Sequence, residues 1–217
     1  MKKYNYKIER VSKYNHKIKN HGNSLNYNHS RSAVFFDRDG VVIQDEHYIS
    51  KPDKIKILPG VKQILKSSNE AGWLNIVVTN QSGISRGYFN WEDYEAVSIH
   101  MIEILGDQHP IHAIYANSNS PQNNNYKKSW RKPSPLMILE AADEFNIDLN
   151  KSILIGDRMT DLLAAKNAGI KEIFHVLTGH GSEERQNILE NFACHQESKL
   201  KKLNNLSEFP LNEFFKE

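Results

Sequence analysis

Phe35-Phe36-Asp37-Arg38-Asp39-Gly40-Val41-Val42 is the stretch that decides the fold. A short apolar run, Ala33 to Phe36, leads straight into two carboxylates two residues apart, and a glycine follows. Ala33–Asp37 reads as a buried strand, which would leave Asp37 and Asp39 at its carboxyl end. In an open α/β sheet that edge is where ligands bind. Two carboxylates held together need neutralising, and a divalent cation does this well. The stretch therefore suits phosphoryl-group chemistry on a cation.

Outward from it, helical and extended patterns alternate. Pro59-Gly60 opens a helix to about Ala71, with Val61, Ile64 and Leu65 at helical spacing. Leu74–Thr79 is apolar and β-branched, hence a strand, and Trp91 to Leu105 is an amphipathic helix with Trp91 and Tyr94 on its apolar stripe. Ile111–Tyr115 is a short strand, 117–129 a polar loop, and Pro135 to Phe145 a helix. Ser152–Ile155 is a strand, Arg158–Asn167 a helix closed by Gly169, and Ile173–Val176 a further strand. A charged helix follows Gly181, then weakly patterned sequence. This alternation predicts an α/β fold: a parallel sheet with helices on both faces, in a domain over 32–217.

Ahead of it, 1–31 carries eight cations and one acid, Glu9, although the whole chain is only +2. It reads as a basic, polar, flexible extension. A basic arm can touch nucleic acid, but no nucleic-acid module accompanies it, so a solvated leader is the reading preferred. Cys194 is the sole cysteine, which excludes an internal disulfide and fits a cytoplasmic home. No apolar stretch is long enough to span a membrane.

The sheet brings three strand ends together: Asp37/Asp39, Thr79-Asn80-Gln81-Ser82-Gly83, and Gly156-Asp157, with Arg131-Lys132 adding cations. Carboxylates suit magnesium, which takes oxygen donors and retains water and phosphate as ligands. The need for cations is quantitative. A carboxylate about 4 Å from a phosphate dianion meets repulsion of roughly 8 kcal/mol at an effective dielectric of ~20.

These segments, with Asp161, resemble the four motifs of the haloacid dehalogenase (HAD) superfamily of phosphatases. The longer strings Val78-Thr79-Asn80-Gln81-Ser82-Gly83-Ile84-Ser85-Arg86-Gly87-Tyr88-Phe89 and Ile155-Gly156-Asp157-Arg158-Met159-Thr160-Asp161 are similar to those of the heptose bisphosphate phosphatases, with histidinol phosphatases as near relatives. The resemblance spans Ala33 to Gly181. It implies a three-layer Rossmann-like fold with a minimal cap, and a magnesium-dependent phosphatase acting on a sugar phosphate through an aspartyl-phosphate. The implied substrate is D-glycero-D-manno-heptose 1,7-bisphosphate, cleaved at position 7 on the route to nucleotide-activated heptose. Histidinol phosphate is the alternative substrate; a nucleic-acid end phosphatase and a non-catalytic binding protein are alternatives of other classes.

The resemblance also implies roles. Asp37 is the nucleophile and Asp39 the general acid and base. Thr79 and Lys132 hold the phosphoryl group. Asp37, Asp157 and the backbone carbonyl of Asp39 hold magnesium, with Asp161 behind them. Asp45, Glu46, His47, Tyr48, Asn80, Gln81, Ser82, Arg86, Arg131 and Arg158 face the substrate. A monomer is implied. The family's zinc loop aligns here with Ala116, Ser118, Lys128 and Trp130, none of which offers thiolate or imidazole, so no zinc is expected. Either packing of Trp130 and Tyr126 would then order the loop, or the loop would be mobile.

Overall fold

The structure, a computed structural model, describes residues 6–20, 29–121, 129–192 and 198–215. Eight strands form one sheet: β1 (Tyr6–Ser12), β2 (Asn15–Asn20), β3 (Ala33–Phe36), β4 (Leu74–Asn80), β5 (Ala113–Asn117), β6 (Ile153–Gly156), β7 (Glu172–Val176) and β8 (Lys199–Leu203). Their order is β1-β2-β5-β4-β3-β6-β7-β8. From β5 to β8 all neighbours are parallel, while β2 pairs antiparallel with both β1 and β5.

The central strands are apolar throughout because both faces are covered. Side chains alternate along β3. Val34 and Phe36 join α1 (Val61–Glu70) and α3 (Trp91–Leu105) on one face. Ala33 and Phe35 join α4 (Leu136–Phe145), α5 (Met159–Ala168) and α6 (Gly181–Phe192) on the other. The short helices α2 (Ser82–Ser85) and α7 (Leu211–Phe214) complete the set. The chain leaves β3 to form β4 on one side and returns to form β6 on the other, so the switch in strand order falls at the end of β3.

The expected core elements appear within two residues of their sequence boundaries. The reading of 1–31 as a flexible arm is corrected over residues 6–20, which form a hairpin extending the sheet. Strand alternation explains how so polar a segment is held. Along β2, Ile18 enters the core and His16 turns toward α3, where it meets Glu95 at 2.9 Å and stacks on Trp91 at 3.5 Å. Lys17 turns toward α4, to Glu140 at 2.7 Å and Glu144 at 3.1 Å, and Lys19 pairs with Glu144. Partly buried ion pairs and the His16–Glu95 contact, invisible to hydrophobic periodicity, thus replace an apolar face. The strand β8, read only as weakly patterned tail, is likewise lysine-rich and lies at the opposite edge. Among the described residues no helix is long and apolar enough to cross a membrane.

Candidate active site

Asp37 follows β3 directly, its backbone N–H donating to the carbonyl of Ile155 on β6 at 3.1 Å. Asp157 leaves β6, Asp161 sits in the first turn of α5, and Lys132 reaches in from before α4. All four side chains are buried. The Lys132 ammonium donates to the Val78 carbonyl at 2.8 Å and forms ion pairs with Asp37 Oδ1 and Asp161 Oδ1, each also at 2.8 Å. Asn80 fixes the lysine's backbone, accepting from Lys132 N at 3.0 Å and donating to its carbonyl at 3.2 Å. Asn80 also lines the cleft, but its amide is engaged by Lys132.

The acids Asp37, Asp157 and Asp161 bring one oxygen each within 4.8 Å of one another. Burial pushes Asp37 up to about 7, against the pull of Lys132 and with the repulsion of Asp161 and Asp39. Asp157 is raised well above the ordinary carboxylate range by burial and by the charges of Asp161 and Asp37. Burial alone would lower Lys132, but Asp161 and Asp37 outweigh it and hold the amine above its usual value. Asp157 Oδ2 accepts from the His180 backbone N–H at 2.7 Å, while its buried Oδ1 has no partner. An unpaired buried carboxylate oxygen beside two further acids fits a hard divalent cation, whose oxygen preference the donor set matches.

Backbone shape permits this packing. Gly40 (φ 82°) and Gly179 (φ 58°) are left-handed and bracket Asp157. A Cβ on Gly40 would lie 2.7 Å from Asp157 Oδ2, and one on Gly179 closer still.

Asp39 is only partly buried and is clamped by Arg38, whose Nε and Nη2 donate to its two oxygens at 3.2 and 3.1 Å. Gln81 Nε2 donates at 2.8 Å to both Asp39 Oδ2 and Thr79 Oγ1, and Gln81 Oε1 accepts from Arg38 Nη2 at 3.0 Å. Thr79 is buried behind Gln81, outside the cleft lining. Arg38 is 1% exposed, and its role is not legible in the sequence, where it is merely the residue between two acids.

Above these groups opens a cleft of about 410 Å³. Its lining brings together Asp37, Asp39, Asp45, His47, Tyr48, Asn80, Gln81, Ser82, Arg86, Arg131, Lys132, Arg158 and Asp161 from the sequence-read set. Glu46 is not among them; it accepts from Gln44 at 3.0 Å and Lys56 at 3.4 Å on the outside. His180, not singled out from sequence, lines the cleft and places Nε2 at 3.2 Å from Asp45. Arg86 donates to the Tyr48 hydroxyl at 2.8 Å, Arg158 pairs with Glu184 at 3.0 Å, and Arg131 Nη1 donates to the Asn119 carbonyl at 2.8 Å. A second concavity, about 460 Å³ between the hairpin and α3, has no convergent acid cluster among the described residues.

Of the positions aligned with the zinc loop, Ala116 and Ser118 are buried at the end of β5. Trp130 packs on Tyr115 with ring centres 5.7 Å apart. Lys128 and Tyr126 lie outside the described residues.

A doubly wound sheet with paired acids at its switch point, a buried lysine between acids and a third acid after the next strand defines a phosphatase of the haloacid dehalogenase class. A HAD-hydrolase-like family model matches residues 129–197. The chain is 37% identical to D-glycero-alpha-D-manno-heptose-1,7-bisphosphate 7-phosphatase of Burkholderia mallei over 64% of this chain and 76% of that one. With the D-glycero-beta-D-manno-heptose-1,7-bisphosphate 7-phosphatase of Helicobacter pylori it shares 35% over 65% and 82%. The D,D-heptose 1,7-bisphosphate phosphatase of B. bronchiseptica, solved with magnesium and phosphate, superposes with TM-score 0.69 at 29% identity, covering 81% of this chain and 94% of that chain. The chain belongs to the heptose-1,7-bisphosphate 7-phosphatase family.

Proposed function

We propose that the protein is a magnesium-dependent phosphatase that removes the 7-phosphate of D-glycero-D-manno-heptose 1,7-bisphosphate and leaves the anomeric phosphate in place. The observation that carries this reading is the Lys132 ammonium held between Asp37 and Asp161 at the floor of a cleft that Arg86, Arg131 and Arg158 also line. The floor suits one phosphoryl group undergoing transfer, and Arg86, Arg131 and Arg158 suit a second anionic group farther out.

In this reading Asp37 attacks phosphorus and forms the aspartyl-phosphate as the bond to the sugar oxygen breaks. Asp39, aimed by Arg38 and Gln81, gives that oxygen its proton. It then takes one from the water that attacks the aspartyl-phosphate, which frees inorganic phosphate and restores Asp37. Lys132 offsets the repulsion between Asp37 and phosphate and is itself oriented by Asn80 and Asp161. Thr79 steadies Gln81. Asp37, Asp157 and the Asp39 carbonyl would hold the magnesium ion, which supplies the remaining charge compensation at the phosphoryl oxygens. No zinc is assigned.

The cations of the hairpin argue against a nucleic-acid grip. Of the hairpin's five cations, Lys7, Arg10, Lys17 and Lys19 are each paired with a carboxylate of the chain, and Lys13 lies over the Tyr14 ring.

The test is phosphate release from heptose 1,7-bisphosphate (both anomers), the 7-monophosphate, histidinol phosphate and end-phosphorylated oligonucleotides, with and without magnesium. Asp37→Asn is the control. Release from the bisphosphate that needs magnesium and Asp37, with the 1-monophosphate as product, is expected. Faster turnover of histidinol phosphate or of oligonucleotide ends overturns the assignment.

A further inference from the structure

We infer that the amino-terminal hairpin takes part in substrate recognition: its turn braces the base of the loop after β5 and thereby holds Arg131 at the cleft. This rests on the reading of Arg131 as a ligand of the second phosphate.

The brace is a continuous chain of polar contacts. At the turn between β1 and β2, the Tyr14 carbonyl accepts from the Ser118 backbone N–H at 2.9 Å. The Ser118 hydroxyl and Asn117 Nδ2 approach the same oxygen at 3.4 Å. Asn15 Oδ1 accepts from Asn117 Nδ2 at 2.7 Å. Asn117 is fully buried and passes the constraint on: its Oδ1 accepts from Asn119 N at 2.9 Å. Asn119 then holds Arg131 twice over. Its carbonyl accepts from Arg131 Nη1 at 2.8 Å, and its Nδ2 donates at 3.0 Å to Ser129 Oγ, which also accepts from Arg131 N at 3.1 Å.

A brace must itself be fixed. The hairpin is anchored on α3, where Trp91 Nε1 donates to the Lys13 carbonyl at 3.0 Å, and on α4 through Lys17 and Lys19. Removing the Asn15 amide leaves the buried Asn117 Nδ2 with only the long contact to Tyr14, which costs more than a surface hydrogen bond would.

The experiment compares the intact protein with Asn15→Ala, Arg131→Ala, the double variant and Asn15→Asp, which keeps an acceptor oxygen. Each is assayed with heptose 1,7-bisphosphate and with p-nitrophenyl phosphate, which has no second phosphate, and by amide hydrogen exchange over 113–121. Asn15→Ala is expected to raise KM for the bisphosphate roughly three- to tenfold, the range one buried hydrogen bond spans. It should speed exchange at 117–119 and leave p-nitrophenyl phosphate turnover unchanged. Asn15→Asp should restore KM, and Asn15→Ala should add nothing once Arg131 is gone. Unchanged exchange, an equal loss on both substrates, or a KM effect that persists without Arg131 overturns the inference. If Arg131→Ala alone leaves KM unaltered while Asn15→Ala still loosens the segment, the reading of Arg131 falls and the brace stands.

Discussion

Replacing Lys132 with methionine removes an ammonium that faces two buried carboxylates at 2.8 Å. At an effective dielectric of ~20, each such pair is worth about 6 kcal/mol of attraction, most of it offset by the cost of burying the ions. What is lost on removing one partner is the compensation of charges that remain buried, about 3–5 kcal/mol. For a chain of this size a loss of 1 kcal/mol lowers Tm by about 2–4 °C, so the variant should melt about 6–20 °C lower.

The pH dependence separates this mechanism from simple loss of packing. Asp37, raised from 3.8 to about 7, binds its proton more tightly in the folded state than in the unfolded. Its contribution to stability is therefore full below pH ~4, and it drains away as pH climbs through about 7. Lys132 pulls Asp37 down. Without it the folded pKa rises further, and the loss continues past pH 7 at up to about 1.4 kcal/mol per pH unit for as long as Asp37 stays protonated. Urea denaturation of both proteins in chelator at pH 5, 7 and 8.5 should show a stability difference that widens with pH. A difference independent of pH, or below about 1 kcal/mol at pH 8.5, would refute the coupling of Lys132 to Asp37.

Magnesium added to chelator-treated protein should raise Tm, since at 100 times Kd a ligand of the native state adds about 2.7 kcal/mol, or roughly 5–10 °C here. Differential scanning fluorimetry checks this, and Asp157→Asn should abolish the shift. Gly179→Ala, which forces a Cβ against Asp157 at a left-handed φ of 58°, should weaken magnesium affinity about 10–100-fold, with activity partly recovered at high magnesium. Titration of activity against magnesium concentration measures it, and an unshifted midpoint counts against the packing argument. Arg38→Met should release Asp39 and Gln81 and forfeit part of the about 10²–10⁴-fold that general acid–base catalysis supplies, leaving the magnesium midpoint alone. Steady-state kcat on the bisphosphate decides between that outcome and a purely structural role.

The legible part of this protein is its parallel core and the floor of its cleft. Phe35-Phe36-Asp37 announces a buried strand ending in a carboxylate, because apolar runs bounded by abrupt charge occur where a strand emerges from between helices. Asp157 and Lys132 could be placed by the same logic and by resemblance to a known family. Three features stayed hidden, each for its own reason. The strand β2 is polar in sequence because its inward positions are satisfied by Glu95, Glu140 and Glu144, which lie 79–127 residues away. Arg38 looks like a spacer until Ser98, Gln81 and Tyr94 are seen to enclose it. Asn80 reads as a substrate contact, yet its amide is taken by the Lys132 backbone.

Local pattern and residue chemistry by themselves determined that the chain forms an α/β sheet with acids at a strand end suited to a cation and a phosphate. Tertiary structure alone decided that the Lys132 ammonium lies between Asp37 and Asp161, that Arg38 and Gln81 clamp Asp39, and that the hairpin of residues 6–20 pairs with β5 beside the cleft. The reason is the reach of the interactions. Strand and helix formation follow from neighbours a few residues apart, whereas hydrogen bonds and ion pairs between distant segments exist only once the sheet has brought those segments together.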